Sequence, residues 1–244
     1  MSKTIVITGA GAGLGRALAR RLAADGDDLV LLGRTPAKVE KLAAEIGPRA
    51  MAVGCDVASP QSVAAAFKAI AARHPRIDVL INNAAVYEPF LVAEATDEQI
   101  LKIIATNLTG PILCVRAAIP LMGSGGHIIN LSSESVELPF PHLSLYQCSK
   151  AGLERFSQAL EQELAPQGIR VTTVRAGQMM DADKTWDIDP KAAARFAQAA
   201  MAVGLNLRER PISQFTSVTH IFRALIDLPP DLHAGTVVLR ARKP

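Results

Sequence analysis

The chain has 244 residues, 49% of them hydrophobic, and 26 Lys and Arg against 23 Asp and Glu give a formal net charge of +3. With a mean hydropathy of +0.21 this implies one well-filled core, and a basic excess dispersed along helices, with only 4% aromatic residues, argues against a nucleic-acid partner. Cys55, Cys114 and Cys148 are odd in number, widely spaced and without a CxxC pair, so neither a disulfide framework nor a zinc site is suggested and a reducing compartment fits; no leader-like segment opens the chain and no apolar run reaches the ~18 residues of a membrane span, so a cytoplasmic protein with no membrane partner is expected.

Short β-branched or leucine-rich runs alternate with longer alanine-rich amphipathic stretches. Strands are predicted at 3–9, 28–33, 49–57, 77–82, 125–132, 169–175 and 235–240, with helices at about 13–25, 36–46, 60–73, 97–122, 146–165 and 213–227. Repeated βα units of this kind build a Rossmann-like, doubly wound parallel sheet of about seven strands with helices on both faces, an α/β fold in a single domain over 1–244. Residues 176–212 are longer than a compact connection requires and read as a substrate lid containing a helix.

The stretch "TGAGAGLG" begins at Thr8, between the first strand and the first helix. There, unpaired backbone N–H groups and the helix dipole favour an anion, while Gly9, Gly13 and Gly15 permit a tight turn and close approach of a pyrophosphate. The chain lacks the GxxxxGK[ST] of a P-loop, so a dinucleotide is favoured over ATP. At the end of the second strand an acid would bind an adenosine ribose, but the chain reads "LLGRT": Gly33 stands where the acid could sit and Arg34 follows. An arginine offers a charge-assisted fork to a 2′-phosphate, so NADP(H) is preferred over NAD(H); the plainer reading of Arg34 is a solvated residue opening a helix.

In "SLYQCSK", residues 144–150, Tyr146 and Lys150 are four apart and share a helix face. A free phenol titrates near ~10, and a neighbouring cation is expected to lower that value, making Tyr146 a candidate general acid and base. A buried tyrosine beside a snorkelling lysine is the alternative.

Taken together, "TGAGAGLG", "CDV" (55–57), "NNAA" (82–85), Asn107, "NLSS" (130–133) and "YQCSK" (146–150), in this order and spacing, resemble the short-chain dehydrogenase/reductase superfamily over about residues 3–180. The resemblance implies a catalytic set of Asn107, Ser133, Tyr146 and Lys150. It further implies cofactor contacts from Gly9, Gly13, Leu14 and Gly15, from Asp56 and Val57 about the adenine, from Asn83 and Ala84 along the cofactor, and from the backbone of Met179 at the nicotinamide carboxamide. Tyr146 and Lys150 also face the cofactor. In this scheme Ser133 donates a hydrogen bond to a carbonyl oxygen, Tyr146 transfers the proton, Lys150 holds the nicotinamide ribose and Asn107 anchors a water leading to solvent. The activity implied is hydride transfer between NADP(H) and a small-molecule carbonyl or alcohol, in a homotetramer or homodimer formed through 97–122 and 146–165. A nucleotide-binding sensor or scaffold of the same fold without turnover is the alternative.

Several positions depart from the family pattern. Ala85 and Val136 stand where glycines are common, Ala176 where a proline is common, and Asp181 where a threonine would bond the carboxamide; the C-terminus lacks the frequent acidic-glycine ending. The five histidines show no metal-ligand spacing and no metal is expected. His142 lies between Ser133 and Tyr146 and could wall the pocket, and Cys148 sits inside the Tyr–Lys turn. Met179, Met180, Trp186, Phe196 and Met201 could shape an apolar pocket or merely pack, and Asp181, Asp183, Asp187 and Asp189 read as solvated acids.

Overall fold

Val, Ile and Leu in short runs extend because their stiff, branched side chains pack well on a pleated surface. They form β1 (Thr4–Thr8), β2 (Asp28–Gly33), β3 (Ala50–Gly54), β4 (Val79–Asn82), β5 (His127–Ser133), β6 (Arg170–Ala176) and β7 (Thr236–Leu239). The computed structural model describes residues 2–180 and 188–242. Its sheet has the order β3-β2-β1-β4-β5-β6-β7, with every pairing parallel. The chain builds outward from β1 to β3, then crosses back to lay β4 on the other side of β1. The strand order therefore reverses between β1 and β4, where an open parallel sheet leaves a crevice for ligands.

Alternate residues of a strand face opposite ways, so the sheet needs a core on each side. On one face Ile5, Ile7, Leu29 and Leu31 pack with α1 (Gly13–Ala24), α2 (Pro36–Ile46) and Phe215, Val218 and Phe222 of a C-terminal helix, Phe215–Ile226. On the other, Val6, Val30, Leu32 and Leu80 meet α3 (Pro60–Arg73) and the helices that follow β4 and β5. Ser59 caps α3 by accepting a bond from the Ser62 N–H at 3.2 Å, with Pro60 in the first turn.

Two elements differ from their sequence-based expectation. The third strand stops at Gly54, so Cys55, Asp56 and Val57 form a turn. The single helix predicted over 97–122 is three pieces: α4 (Asp97–Ile104), a π-turn (Ala105–Thr109), and α5 (Gly110–Ala118) followed by a 3₁₀ turn (Ile119–Leu121). Gly110 and Pro111 mark the break, but they sit inside a run apolar enough to read as one helix. By length and composition alone the run Asp97–Leu121 could cross a membrane; half of its apolar window is buried inside this domain. After it come α6 (Ser144–Leu164), α7 (Pro190–Ala202) and α8 (Phe215–Ile226). Within 176–212, Asp181, Asp183, Trp186 and Asp187 lie outside the described residues.

Candidate active site

At the β1/β4 reversal, Thr8 ties the two strand ends together. Its hydroxyl accepts the Asn83 and Ala84 N–H groups, each at 3.0 Å, while Asn83 Nδ2 donates to the Thr8 carbonyl at 2.9 Å and the Gly9 carbonyl at 3.3 Å. The glycines follow from this crowding. Gly9 and Gly13 hold φ of 66° and 52°, and a Cβ on Gly15 would lie 2.4 Å from the Gly9 oxygen. The loop is thus a backbone cradle, which fits a dinucleotide phosphate at the start of α1. Asn83 braces this cradle with its own amide. Leu14 and Val57 turn into the core, 5% and 6% exposed, so only their backbones are left to face a ligand. Asp56 accepts the Ala58 N–H at 3.0 Å and shapes the turn after β3.

At the end of β2, a Cβ on Gly33 would meet Val39 Cγ1 at 2.7 Å, and Val39 is fully buried. No carboxylate can stand there unless that valine moves. Arg34 is exposed and makes no ion pair or hydrogen bond among the described residues. A second cation, Lys38, stands over the cradle: a Cβ on Gly11 would touch its Cβ at 3.0 Å. Sequence reasoning missed Lys38, which reads as one more solvated lysine on α2.

The residues suspected of chemistry meet beyond the C-terminal ends of β5 and β6, around an open cavity of ≈ 470 Å³. Ser133 ends β5, and Tyr146 and Lys150 occupy the first two turns of α6; all three line the cavity, as do Ala176 and Met179. Met179 bridges to Ser213, which fixes the chain after β6. Burial pushes the Tyr146 phenol above its ordinary value, and a hydrogen bond with Ser133 pulls the other way. This corrects the expectation that Lys150 lowers it. The Lys150 ammonium lies 5.9 Å from the Tyr146 ring centroid, donates to the Leu131 carbonyl at 2.7 Å, and is itself pushed down to about 8 by burial.

Asn107 is fully buried in the π-turn. Its Oδ1 accepts the Val86 N–H at 2.8 Å, and its Nδ2 donates to the Val86 carbonyl at 2.9 Å and to Ser149 Oγ at 3.2 Å; Ser149 in turn donates to the Tyr146 carbonyl at 2.7 Å. These bonds tie the π-turn to the chain after β4 and, through Ser149, to the turn of α6 that carries Tyr146.

Further residues shape the site that the sequence did not single out. Gln147 donates to the Ser135 and Leu138 carbonyls at 2.9 and 2.8 Å, stapling the loop between Ser133 and Tyr146 onto α6. Glu154, one turn beyond Lys150, accepts Ser132 Oγ at 2.6 Å and both arms of Arg175 at 2.9 and 2.6 Å. Burial opposes its ionisation, yet these bonds hold its carboxyl below the usual range. Arg175 also pairs with Glu137. Helical spacing puts 146, 150 and 154 on one face, the one sequence signal that could have found Glu154. Glu134 pairs with Arg210 at 2.5 Å. His142 adopts a left-handed φ of 60° but opens onto a neighbouring hollow with Glu94 and Arg195, and Cys148 is exposed.

A glycine cradle at the strand reversal of a parallel sheet, with a Ser–Tyr–Lys cluster beside it, is the arrangement expected of a dinucleotide-binding oxidoreductase. The family model described as short chain dehydrogenase matches residues 3–192, and the chain belongs to that family. It is 37% identical over 180 residues to an uncharacterized oxidoreductase of Methylorubrum extorquens, covering 72% of each chain. It is 32% identical over 197 residues to carbonyl reductase family member 4 of Danio rerio, covering 80% of this chain and 83% of the relative. A short chain dehydrogenase of Burkholderia cenocepacia solved in complex with NADP superposes with a TM-score of 0.81 at 26% identity, over 98% of this chain and 96% of that one.

Proposed function

We infer that the protein moves hydride between NADP(H) and a carbonyl or alcohol carbon, with Tyr146 as general acid and base. The observation that carries this reading is the meeting of Ser133, Tyr146 and Lys150 on one open cavity. When bound, the nicotinamide supplies or accepts the hydride at its ring. In reduction, Ser133 donates a hydrogen bond to the carbonyl oxygen and Tyr146 gives that oxygen its proton, so the ketone leaves as a secondary alcohol. Because burial holds the phenol protonated, the acid is ready at neutral pH. Lys150, on the same face, would hold the ribose and stabilise the phenolate left behind.

Arg34 and Lys38, both exposed beside the cradle, and the crowding at Gly33 support NADP(H) over NAD(H). The Danio rerio relative's name as a carbonyl reductase and the NADP in the Burkholderia cenocepacia structure favour the same reading. Residues 176–212 would close over the substrate, and the unpaired cysteines fit a cytoplasmic setting. The test is to follow NADPH absorbance over a ketone panel with the parent protein and Tyr146→Phe. A fall of ~10²–10⁴-fold in kcat with NADPH binding retained is expected. Equal turnover by both, or tighter binding of NADH than NADPH, overturns the respective assignment.

A further inference from the structure

The chain has only ten aromatic residues, and four of them stand around the one cavity described above: Tyr87, Phe140, Tyr146 and Phe196. Three come from separate parts of the chain. Tyr87 lies after β4, Phe140 on the loop between Ser133 and α6, and Phe196 on α7. The Tyr87 ring meets Tyr146 edge-on, centroids 5.2 Å apart at 79°, and meets Phe196 at 6.3 Å and 81°; Phe140 and Phe196 lie 6.3 Å apart at 36°. A continuous aromatic wall thus runs from the proton donor to α7.

The charges at this cavity are answered by protein. Of its described lining residues Glu134 and Lys150 alone are ionisable as acid or ammonium. Glu134 is taken by Arg210, whose guanidinium lies 5.1 Å over the Phe140 ring, and Lys150 is turned onto the Leu131 carbonyl. Ser132, which could serve a polyol, donates to Glu154. Among the described lining residues a carboxylate substrate finds no cation but Lys150, which is already bonded, and an unpaired charge in such a place is penalised. A flat ring, by contrast, gains edge-to-face and offset contacts worth about 0.5–1.5 kcal/mol each beyond the area it buries.

Resting on the oxidoreductase reading above, we propose that the substrate is a neutral ketone, or its secondary alcohol, bearing an aryl group that is seated against Tyr87, Phe140 and Phe196 while its carbonyl faces Ser133 and Tyr146. The aryl group selects the substrate; it takes no part in the hydride and proton transfers.

The test compares 4-phenylbutan-2-one with 4-cyclohexylbutan-2-one, whose carbonyls are insulated from the ring by two methylenes and so share intrinsic reactivity. Benzoylformate and dihydroxyacetone serve as the anionic and polyol controls. With NADPH, kcat/KM for the phenyl compound should exceed that for the cyclohexyl compound by roughly tenfold or more, as one or two ring contacts would give, and should exceed both controls. In Phe196→Leu and Tyr87→Leu that ratio should fall towards one, with circular dichroism and melting temperature showing that each variant is folded. The rise in melting temperature that each ketone gives the parent protein with NADP⁺ should follow the same order. Equal kcat/KM for phenyl and cyclohexyl ketones, or a ratio untouched in both folded variants, overturns the aryl proposal and leaves the oxidoreductase reading standing. Preference for benzoylformate or dihydroxyacetone overturns it likewise. Absence of turnover with every compound, under NADPH and NADH and with the matching alcohols under NADP⁺, defeats the oxidoreductase reading itself and the proposal with it.

Discussion

Lys150 is among the largest wholly buried side chains of the molecule, at 2% exposure, and burial without a counter-charge fixes how its stability responds to pH. Its folded value of about 8 lies below the ordinary 10.5. Between those two values the unfolded chain holds a proton that the folded chain has released, so stability rises with pH across that window; below it, the buried ammonium weighs against folding by about 3 kcal/mol. Lys150→Met removes that burden and loses the bond to Leu131, worth about 1 kcal/mol. The cofactor-free variant should therefore melt a few degrees above the parent at pH 7, with the gap closing by pH 10.5, as read by calorimetry. A gap that widens as pH rises would contradict this account. At the other end of the crevice, Arg34→Ala should weaken NADPH about 10–100-fold, the worth of a charge-assisted bond, while leaving the NADH dissociation constant within about threefold. Lys38→Ala should act in the same direction and less strongly. Both are read by fluorescence titration.

At the level of elements, α6 has two functions on one face: Tyr146 and Lys150 at the cavity, then Glu154 clamped by Ser132 and Arg175. The clamp joins α6 to the ends of β5 and β6, and Arg175 extends it to Glu137 in the loop after Ser133. Arg175→Met leaves Glu154 mostly buried without its partner, which should lower stability by about 3 kcal/mol in urea unfolding. The double variant with Glu154→Leu should recover much of that, because the unpaired charge is gone; recovery of nothing would show that the pair is not the cause. What was legible here, and what was not, follows from range. The existence of α6 and the shared face of Tyr146 and Lys150 were plain from i, i+4 spacing. Arg175 and Glu137 were not, since each is paired across 21 or more residues of chain and looks locally like a surface charge. The π-turn at Ala105–Thr109 was hidden for a different reason: the residues that pull Asn107 inward, Val86 and Ser149, are supplied by other elements.

For the whole molecule, the parallel sheet and the placing of the motifs at its strand ends were legible in the sequence, because a glycine turn after the first strand and reactive residues after the fifth are tied to strand ends by the geometry of parallel sheets; the strand order came only with the structure. The aromatic wall could not be foreseen in this way, as Tyr87, Phe140 and Phe196 share no period. Outside the crevice, Leu101 on α4 is 67% exposed, and a second copy of the chain packing on α4, α5 and α6 would cover it. Sedimentation equilibrium at micromolar protein should give a dimer or tetramer, and Leu101→Lys should shift the mass towards the protomer; a monomeric parent would dismiss the assembly. The contact of Gly33 with Val39 reaches furthest in time. An acidic side chain at Gly33 has first to push Val39 aside, so a lineage starting from this sequence gains one there more readily after position 39 has shrunk. The order of the two substitutions then matters, because the α2 change made alone leaves a hole in the core.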